Sequence, residues 1–211
     1  MTQLMNIDHA ICLSPHPDDI EFSMGGTILA NNLTKFDIAY MSQGGKTDPT
    51  SGVHRIRECV SSWEDERHIG TINLGIVHLS DMDENEWIAF LEEHLDMEKY
   101  DAIFYPSYDD IHFEHRFVAS IGRSLGRNNA YKLIEYQTPS TAANWVPNLV
   151  SDITLFFEDK VRMLIDHFDS QGDKSYFQPS TLEAFHRHYR WMRNSPGLQY
   201  AEEFKITRMF V

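Results

Sequence analysis

The chain alternates short apolar runs, rich in β-branched and aromatic residues, with longer stretches of helical period. Short runs of this kind are typical of buried strands, and the longer amphipathic stretches are typical of helices that cover them. A repeated strand–helix order builds parallel strands, because each helix carries the chain back to the starting edge of the sheet. We therefore predict an α/β fold with a mostly parallel central sheet.

The pattern also gives the expected bounds of the elements. Strands are predicted at residues 9–14, 36–42, 71–79, 101–106, 131–138 and 205–210, and helices at 24–33, 54–68, 85–97, 113–125, 158–168 and 179–192. Residues 144–153 contain Trp, Pro and Asn and are interpreted as a loop, and the apolar run 153–157 as a further strand. A length of 211 residues suits one compact domain, so we expect residues 1–211 to form a single domain.

Charge argues against polyanionic partners. The chain has 18 Lys and Arg against 32 Asp and Glu, a formal net charge of −14 at pH 7. The resulting field repels nucleic acid and anionic membrane surfaces. A local basic cluster of Lys46, Arg55 and Arg57 leaves a small phosphorylated ligand open, beside the alternative of a solvated helix face.

Cysteine usage and hydropathy indicate the compartment. Only 2 cysteines are present, and Cys12 lies in an apolar run, so a disulfide framework is not expected. The first residues lack a secretory leader pattern, and no apolar stretch approaches the length that crosses a bilayer. We therefore expect a cytoplasmic protein without a membrane span.

A first cluster of polar residues, Ser-Pro-His-Pro-Asp-Asp at 14–19, directly follows the first predicted strand. In parallel sheets, ligands collect beyond the carboxyl ends of the strands, where a loop can direct several side chains into one crevice. His16 and Asp19 can both reach one metal ion from such a loop. The prolines on either side of His16 restrict the backbone and hold its imidazole in one orientation.

A second cluster, Asp-Asp-Ile-His-Phe-Glu-His at 109–115, follows the fourth predicted strand and opens a helix. His112 and His115 are three residues apart, so they lie on nearly the same helix face and address one site. Zinc takes histidine nitrogen and carboxylate oxygen, and a catalytic zinc site typically uses three protein ligands and leaves one position for water. His16, Asp19 and His115 meet that requirement.

These two clusters resemble the motifs of the LmbE-like (PIG-L) family of zinc-dependent N-deacetylases. The resemblance rests on His-Pro-Asp-Asp at 16–19, Gly-Gly-Thr at 25–27 and His-Phe-Glu-His at 112–115. Segments 44–45, 55–58, 139–153, 170–171 and 201–204 are also similar to family segments, so the resemblance covers most of the chain. It implies a three-layer Rossmann-like α/β fold.

The resemblance also implies roles for individual residues. His16, Asp19 and His115 would bind zinc, although Fe²⁺ accepts the same ligand types. Asp18 would be the general base that takes a proton from the water held by the metal. His112 would lie beside the substrate carbonyl, where a protonated imidazole stabilises an oxyanion or protonates the departing amine.

The second motif departs from the family pattern at two positions. Phe113 and Glu114 stand where the family commonly has Pro and Asp. The carboxylate is retained, and the resemblance implies that Glu114 lies beside the substrate and accepts a hydrogen bond that orients an imidazole. Some members use a tyrosine just before this motif to contact the carbonyl; the nearest here is Tyr108, and we assign it no role.

Arg55 belongs to the resemblance because the family often has an arginine three residues before a glutamate in this helix. It is implied to contact the substrate or to anchor a loop. The alternative is an ion pair with Glu58 at i, i+3, worth only a few tenths of a kcal/mol.

The resemblance implies a hydrolase that removes the N-acetyl group from an N-acetylglucosamine-type amino sugar. The substrate would be a small N-acetylated sugar or a glycoconjugate. Two alternatives stay open: a zinc amidase that acts on another N-acyl conjugate, and a metal-stabilised binding protein without turnover. The sequence also leaves a homo-oligomeric state open.

Overall fold

The computed structural model describes residues 4–44, 49–127, 131–187 and 195–209. Its strands are β1 His9–Ser14, β2 Lys35–Tyr40, β3 Ile69–Asn73, β4 Ala102–Pro106, β5 Lys132–Tyr136, β6 Leu149–Asp152 and β7 Ala201–Arg208. Its helices are α1 Asp19–Ala30, α2 Pro49–Ser62, α3 Glu84–His94, α4 Phe113–Leu125, α5 Phe157–His167 and α6 Pro179–His186. Short 3₁₀ turns lie at Leu79–Asp81, Met97–Lys99, Asp169–Gln171 and Ser175–Phe177.

The strands form one sheet in the order β3-β2-β1-β4-β5-β7-β6. The five strands β1 to β5 are parallel, whereas β7 runs antiparallel to both β5 and β6. The parallel part has the 3-2-1-4-5 order of a Rossmann-like sheet. The predicted α/β class with a mostly parallel central sheet is confirmed.

Helices cover both faces of this sheet, which explains why its central strands are mainly apolar. Alternate residues of one strand enter different cores: Ala10 and Cys12 pack with α1, α5 and α6, whereas Ile11 and Leu13 pack with α3 and α4. Because successive side chains of a strand point to opposite faces of the sheet, the strand separates two helix layers. The predicted three-layer arrangement is confirmed. In the described residues, no helix is long and apolar enough to cross a bilayer.

Several predicted bounds are wrong. The strand predicted at 153–157 lies instead at Leu149–Asp152, inside the stretch predicted as a loop, because it pairs there with β7. The strand predicted at 71–79 occupies only Ile69–Asn73. Helix α1 begins at Asp19, five residues before its predicted start, and the last residues of the helix predicted at 179–192 lie outside the described residues.

A buried ion pair fixes helix α1, which bears Asp19. Glu202 of β7 accepts hydrogen bonds from the backbone N–H of Gly26, at 2.9 Å, and of Thr27, at 2.6 Å. Its carboxylate lies 2.5 Å from Lys160 Nζ, and both side chains are fully buried. Lys160, in α5, also donates a hydrogen bond to the backbone carbonyl oxygen of Phe22 in α1. The pair thus ties α1 to α5 and β7.

Candidate functional site

The site lies where two adjacent parallel strands end. The first motif follows β1 and the second follows β4, and these strands are hydrogen-bonded neighbours. The strand order reverses at β1, because the chain proceeds from β1 to β3 on one side and returns to β4 on the other. Ligand sites of open α/β sheets form at such a reversal point. The fold therefore brings the two predicted loops together.

His16, Asp19 and His115 converge at this point. The Asp19 carboxylate lies 3.1 Å from His16 Nδ1 through one oxygen and 3.4 Å from His115 Nε2 through the other. The three ligand atoms all lie within 4.8 Å of one another. Asp19 and His115 are buried, and His16 is half-buried. The geometry suits one metal ion, and its binding stays a prediction.

The charges of this cluster also favour a cation. Burial lowers the pKa of His16, but hydrogen bonds with Asp19 and Glu114 outweigh it and raise the pKa to about 9. Burial likewise lowers the pKa of His115, and the charge of Asp19 with a hydrogen bond to Asp110 raises it to about 10. The carboxylates thus attract positive charge to the imidazoles. A divalent cation would supply that charge in place of the protons.

Asp110 fixes the orientation of His115. Its Oδ2 lies 3.1 Å from His115 Nδ1, and its carboxylate accepts hydrogen bonds from the hydroxyls of Thr138, at 2.5 Å, and Ser140, at 2.7 Å. Burial raises the pKa of Asp110, but these hydrogen bonds and the charge of His115 lower it to about 2. His115 Nε2 therefore faces Asp19. The only signal for Asp110 in the sequence is its position, two residues before His112 and next to another aspartate.

Asp18, the predicted general base, is buried and held by Arg55. Its backbone has a φ of 118°, in the left-handed region that few non-glycine residues adopt. Arg55 Nη2 lies 3.0 Å from Asp18 Oδ2 and also donates to the carbonyl oxygen of Pro17. Burial raises the pKa of Asp18 to about 7, against the opposing charge of Arg55. Arg55 therefore anchors the first loop.

Arg55 does not pair with Glu58, so the alternative of an i, i+3 ion pair is wrong within the described residues. Glu58 instead accepts hydrogen bonds from Ser170, at 2.8 Å from its backbone nitrogen and 2.5 Å from its hydroxyl. Helix α2 therefore holds two segments of the candidate site in place. Arg55 holds the first loop, and Glu58 holds the turn at Asp169–Gln171.

The carboxylate of Glu114 lies closer to His16, in the first motif, than to His112, which is only two residues away in the sequence. Its Oε2 lies 2.8 Å from His16 Nε2 but 3.9 Å from His112 Nε2. The His112 ring lies beside both other histidines, with centroid distances of 5.2 Å to His16 and 4.6 Å to His115. Burial and the charges of these two histidines lower the pKa of His112. The second motif thus contributes one carboxylate and two imidazoles to the same cluster.

These residues form one end of a pocket of about 690 Å³. The C-terminal part of the chain also lines this pocket, through Ser170, Gln171, Lys174, Tyr176 and Phe177. The sequence indicated only Ser170 and Gln171, through their similarity to a family segment. Tyr108 does not line the pocket; it is 47% exposed and its ring lies 5.1 Å from the Arg123 guanidinium.

Comparison with known proteins shows which solved structures share this fold. No curated protein matches the chain. Among solved structures, N,N'-diacetylchitobiose deacetylase from Pyrococcus horikoshii is 22% identical with a TM-score of 0.73, over 96% of this chain and 84% of that chain. The zinc-inhibited form of teicoplanin deacetylase Orf2 is 12% identical with a TM-score of 0.72, over 93% of this chain and 96% of that one.

The 4-carboxy-2-hydroxymuconate hydratase GalB from Pseudomonas putida KT2440 is 15% identical with a TM-score of 0.77, over 97% of this chain and 98% of that chain. One fold therefore carries both deacetylases and a hydratase, so these structures establish the fold and not the reaction. The family model described as PIG-L: GlcNAc-PI de-N-acetylase matches residues 11–125, more than half of the 211 residues. This match includes both motifs, and the chain belongs to the PIG-L family.

Proposed function

We propose that the chain is a metal-dependent N-deacetylase that hydrolyses the acetamido group of an amino sugar. The observation that carries the proposal is the convergence of His16, Asp19 and His115, with Asp18 beside them, at one end of a pocket. Membership of the PIG-L family supports the same reaction. The donor set suits zinc, and iron accepts it as well. When bound, such a metal lowers the pKa of water and polarises the amide carbonyl.

Asp18 acts as the general base in this proposal. Its carboxylate lines the pocket next to the ligand set, where it accepts a proton from the attacking water. Arg55 holds one carboxylate oxygen, at 3.0 Å, which fixes the other relative to the pocket. Its contacts make Arg55 a positioning residue, and its predicted contact with the substrate stays a prediction.

Two carboxylates set the tautomers of the histidine ligands. With a metal bound, His16 Nε2 would donate a hydrogen bond to Glu114, which leaves Nδ1 beside Asp19 to bind the metal. His115 Nδ1 would likewise donate to Asp110, which leaves Nε2 beside the same Asp19 carboxylate. The two rings therefore present different nitrogens to one centre. Such outer carboxylates typically strengthen metal binding by holding each ring in place.

His112 serves as the proton donor to the departing amine. It lines the pocket with about a third of its side chain exposed, so a substrate can reach it. An amide C–N bond breaks only when the nitrogen receives a proton. In this proposal the same imidazole also stabilises negative charge on the carbonyl oxygen.

The decisive experiment compares wild-type protein with Asp18→Asn and with Asp166→Asn, which changes an exposed aspartate of α5. Acetate release from N-acetylglucosamine derivatives and bound metal are measured on the same samples. We predict that Asp18→Asn keeps its metal and loses about 10²- to 10⁴-fold in turnover, because general-base catalysis contributes that much. The Asp166 variant should match wild type.

The other outcomes separate the alternatives. Full activity of Asp18→Asn would contradict the assigned base. Turnover confined to other N-acyl conjugates would identify an amidase. A metal-loaded protein that hydrolyses no amide would instead be a binding protein, or an enzyme of different chemistry on the same fold.

A further inference from the structure

Among the residues that the structure describes, most tyrosine hydroxyls form a hydrogen bond within the protein. In the described part of the chain, six tyrosines form a hydroxyl hydrogen bond with another residue: Tyr40, Tyr100, Tyr105, Tyr131, Tyr136 and Tyr200. Tyr108 and Tyr176 form none. Tyr108 is exposed outside the pocket, whereas Tyr176 lines it. Tyr176 is half-buried and lines the pocket, and its hydroxyl has no protein partner among the described residues, so it is available to a ligand.

The Tyr176 ring has a rigid support. It packs edge-on against Phe22, at a centroid distance of 5.9 Å, and against Phe177, at 5.4 Å. Both of these rings are buried. Phe22 belongs to α1, the helix whose first residue is Asp19. Phe22 therefore links the position of the Tyr176 ring to the helix that bears Asp19.

Tyr176 lines the same pocket as Asp18 and Asp19. Burial raises the pKa of its hydroxyl, and the charges of Asp18 and Asp19 raise it further. The hydroxyl thus stays protonated and can donate a hydrogen bond at neutral pH. Tyr176 lies outside the segment matched by the family model, in the wall at 170–177.

We propose that Tyr176 is a specificity-determining residue whose hydroxyl donates a hydrogen bond to a sugar hydroxyl next to the acylamino group. This inference rests on the proposed function. In this proposal the acylamino group lies at Asp18 and the candidate metal ligands, and a neighbouring ring carbon presents its hydroxyl to Tyr176 in the same pocket. Carbon 1 of a glycoside carries the aglycone, so the free partner is the hydroxyl of carbon 3.

The test uses Tyr176→Phe, which removes only the hydroxyl, and Tyr108→Phe as the matched control. Both are assayed on an N-acetylglucosamine glycoside and on its 3-deoxy analogue. A hydrogen bond present in ground and transition states alike changes KM and not kcat. We predict that Tyr176→Phe raises KM for the glycoside about tenfold, with kcat within about twofold, as expected for one lost hydrogen bond. Tyr108→Phe should match wild type.

The deoxy analogue excludes a purely structural role. Wild type and Tyr176→Phe should have the same KM for it, because the partner of the hydroxyl is missing already. An active wild type with an unchanged KM in Tyr176→Phe would overturn the inference, and so would an equal rise in KM for both substrates. If wild type releases no acetate from either sugar, the proposed function fails and this inference fails with it.

Discussion

The carboxylate of Glu114 connects the two motifs. Its Oε2 lies 2.8 Å from His16 Nε2. The sequence predicted that this carboxylate orients an imidazole. It lies closer to the candidate metal ligand His16 than to His112, whose Nε2 is 3.9 Å away. Glu114 therefore couples the second loop directly to the first.

We predict that Glu114→Gln weakens metal binding about tenfold or more, because a neutral amide holds the His16 ring less firmly than a carboxylate does. Metal affinity is measured by competition with a chromophoric chelator. Glu93→Gln, which changes an exposed residue of α3, serves as the control and should bind metal like wild type. Equal affinity in both variants would show that Glu114 does not act through His16.

At the scale of elements, a second polar cluster joins neighbouring strands near their amino ends, at the end of the sheet opposite the candidate site. Asp37 of β2 accepts a hydrogen bond from the Tyr100 hydroxyl at 2.7 Å. The same oxygen lies 2.8 Å from Lys99 Nζ and 3.2 Å from His9 Nε2. These partners belong to β1 and to the segment that enters β4. One carboxylate thus connects three neighbouring strands at their amino ends.

This cluster gives a pH prediction with a definite sign. Burial raises the pKa of Asp37, but the hydrogen bonds with Lys99 and Tyr100 outweigh it, so the folded pKa lies below the ordinary value. The stabilisation is therefore present above about pH 4 and is lost as pH falls through the folded pKa. We predict that Asp37→Asn lowers the free energy of unfolding by about 1 kcal/mol at pH 7.

The measurement is urea denaturation of wild type, Asp37→Asn and the control Asp166→Asn over the acidic range in which the protein stays folded. The difference between wild type and Asp37→Asn should shrink as pH falls below about 4. A difference that does not change with pH would mean that the charge of Asp37 contributes nothing.

At the scale of the molecule, the sheet determines where the pocket forms and the C-terminal part completes it. The loops after β1 and β4 supply the candidate ligand set, and the segment 170–177, far away in the chain, supplies further residues that line the pocket. The family match covers only the first of these two contributions. That residues 1–211 form one domain, and that the protein is cytoplasmic, stay predictions.

Metal removal tests the molecule as a whole. A ligand that binds only the folded state stabilises it by about 2.7 kcal/mol at one hundred times its Kd. For a domain of this size, we predict that zinc added to chelated protein raises Tm by about 5 to 10 °C. Asp19→Asn should lose this response and Asp166→Asn should keep it. A shift that persists in Asp19→Asn would place the metal elsewhere.

The sequence alone determined the features that depend on neighbouring residues. Apolar periodicity predicted the α/β class and most strands, and two short motifs predicted the residues that converge at the end of β1 and β4. The reason is that strand period, helix period and loop position are local properties of the chain. The convergence followed because parallel neighbours end at the same edge of a sheet.

Only the tertiary structure decided which distant groups meet. The pairing of β6 with β7 overrode a local pattern that indicated a loop, because an edge strand depends on its partner more than on its own residues. The contacts of Glu58 with Ser170, of Lys160 with Glu202 and of Tyr176 with Phe22 span long separations in sequence. A buried polar group takes whichever partner the packing brings within reach, and no local pattern encodes that choice.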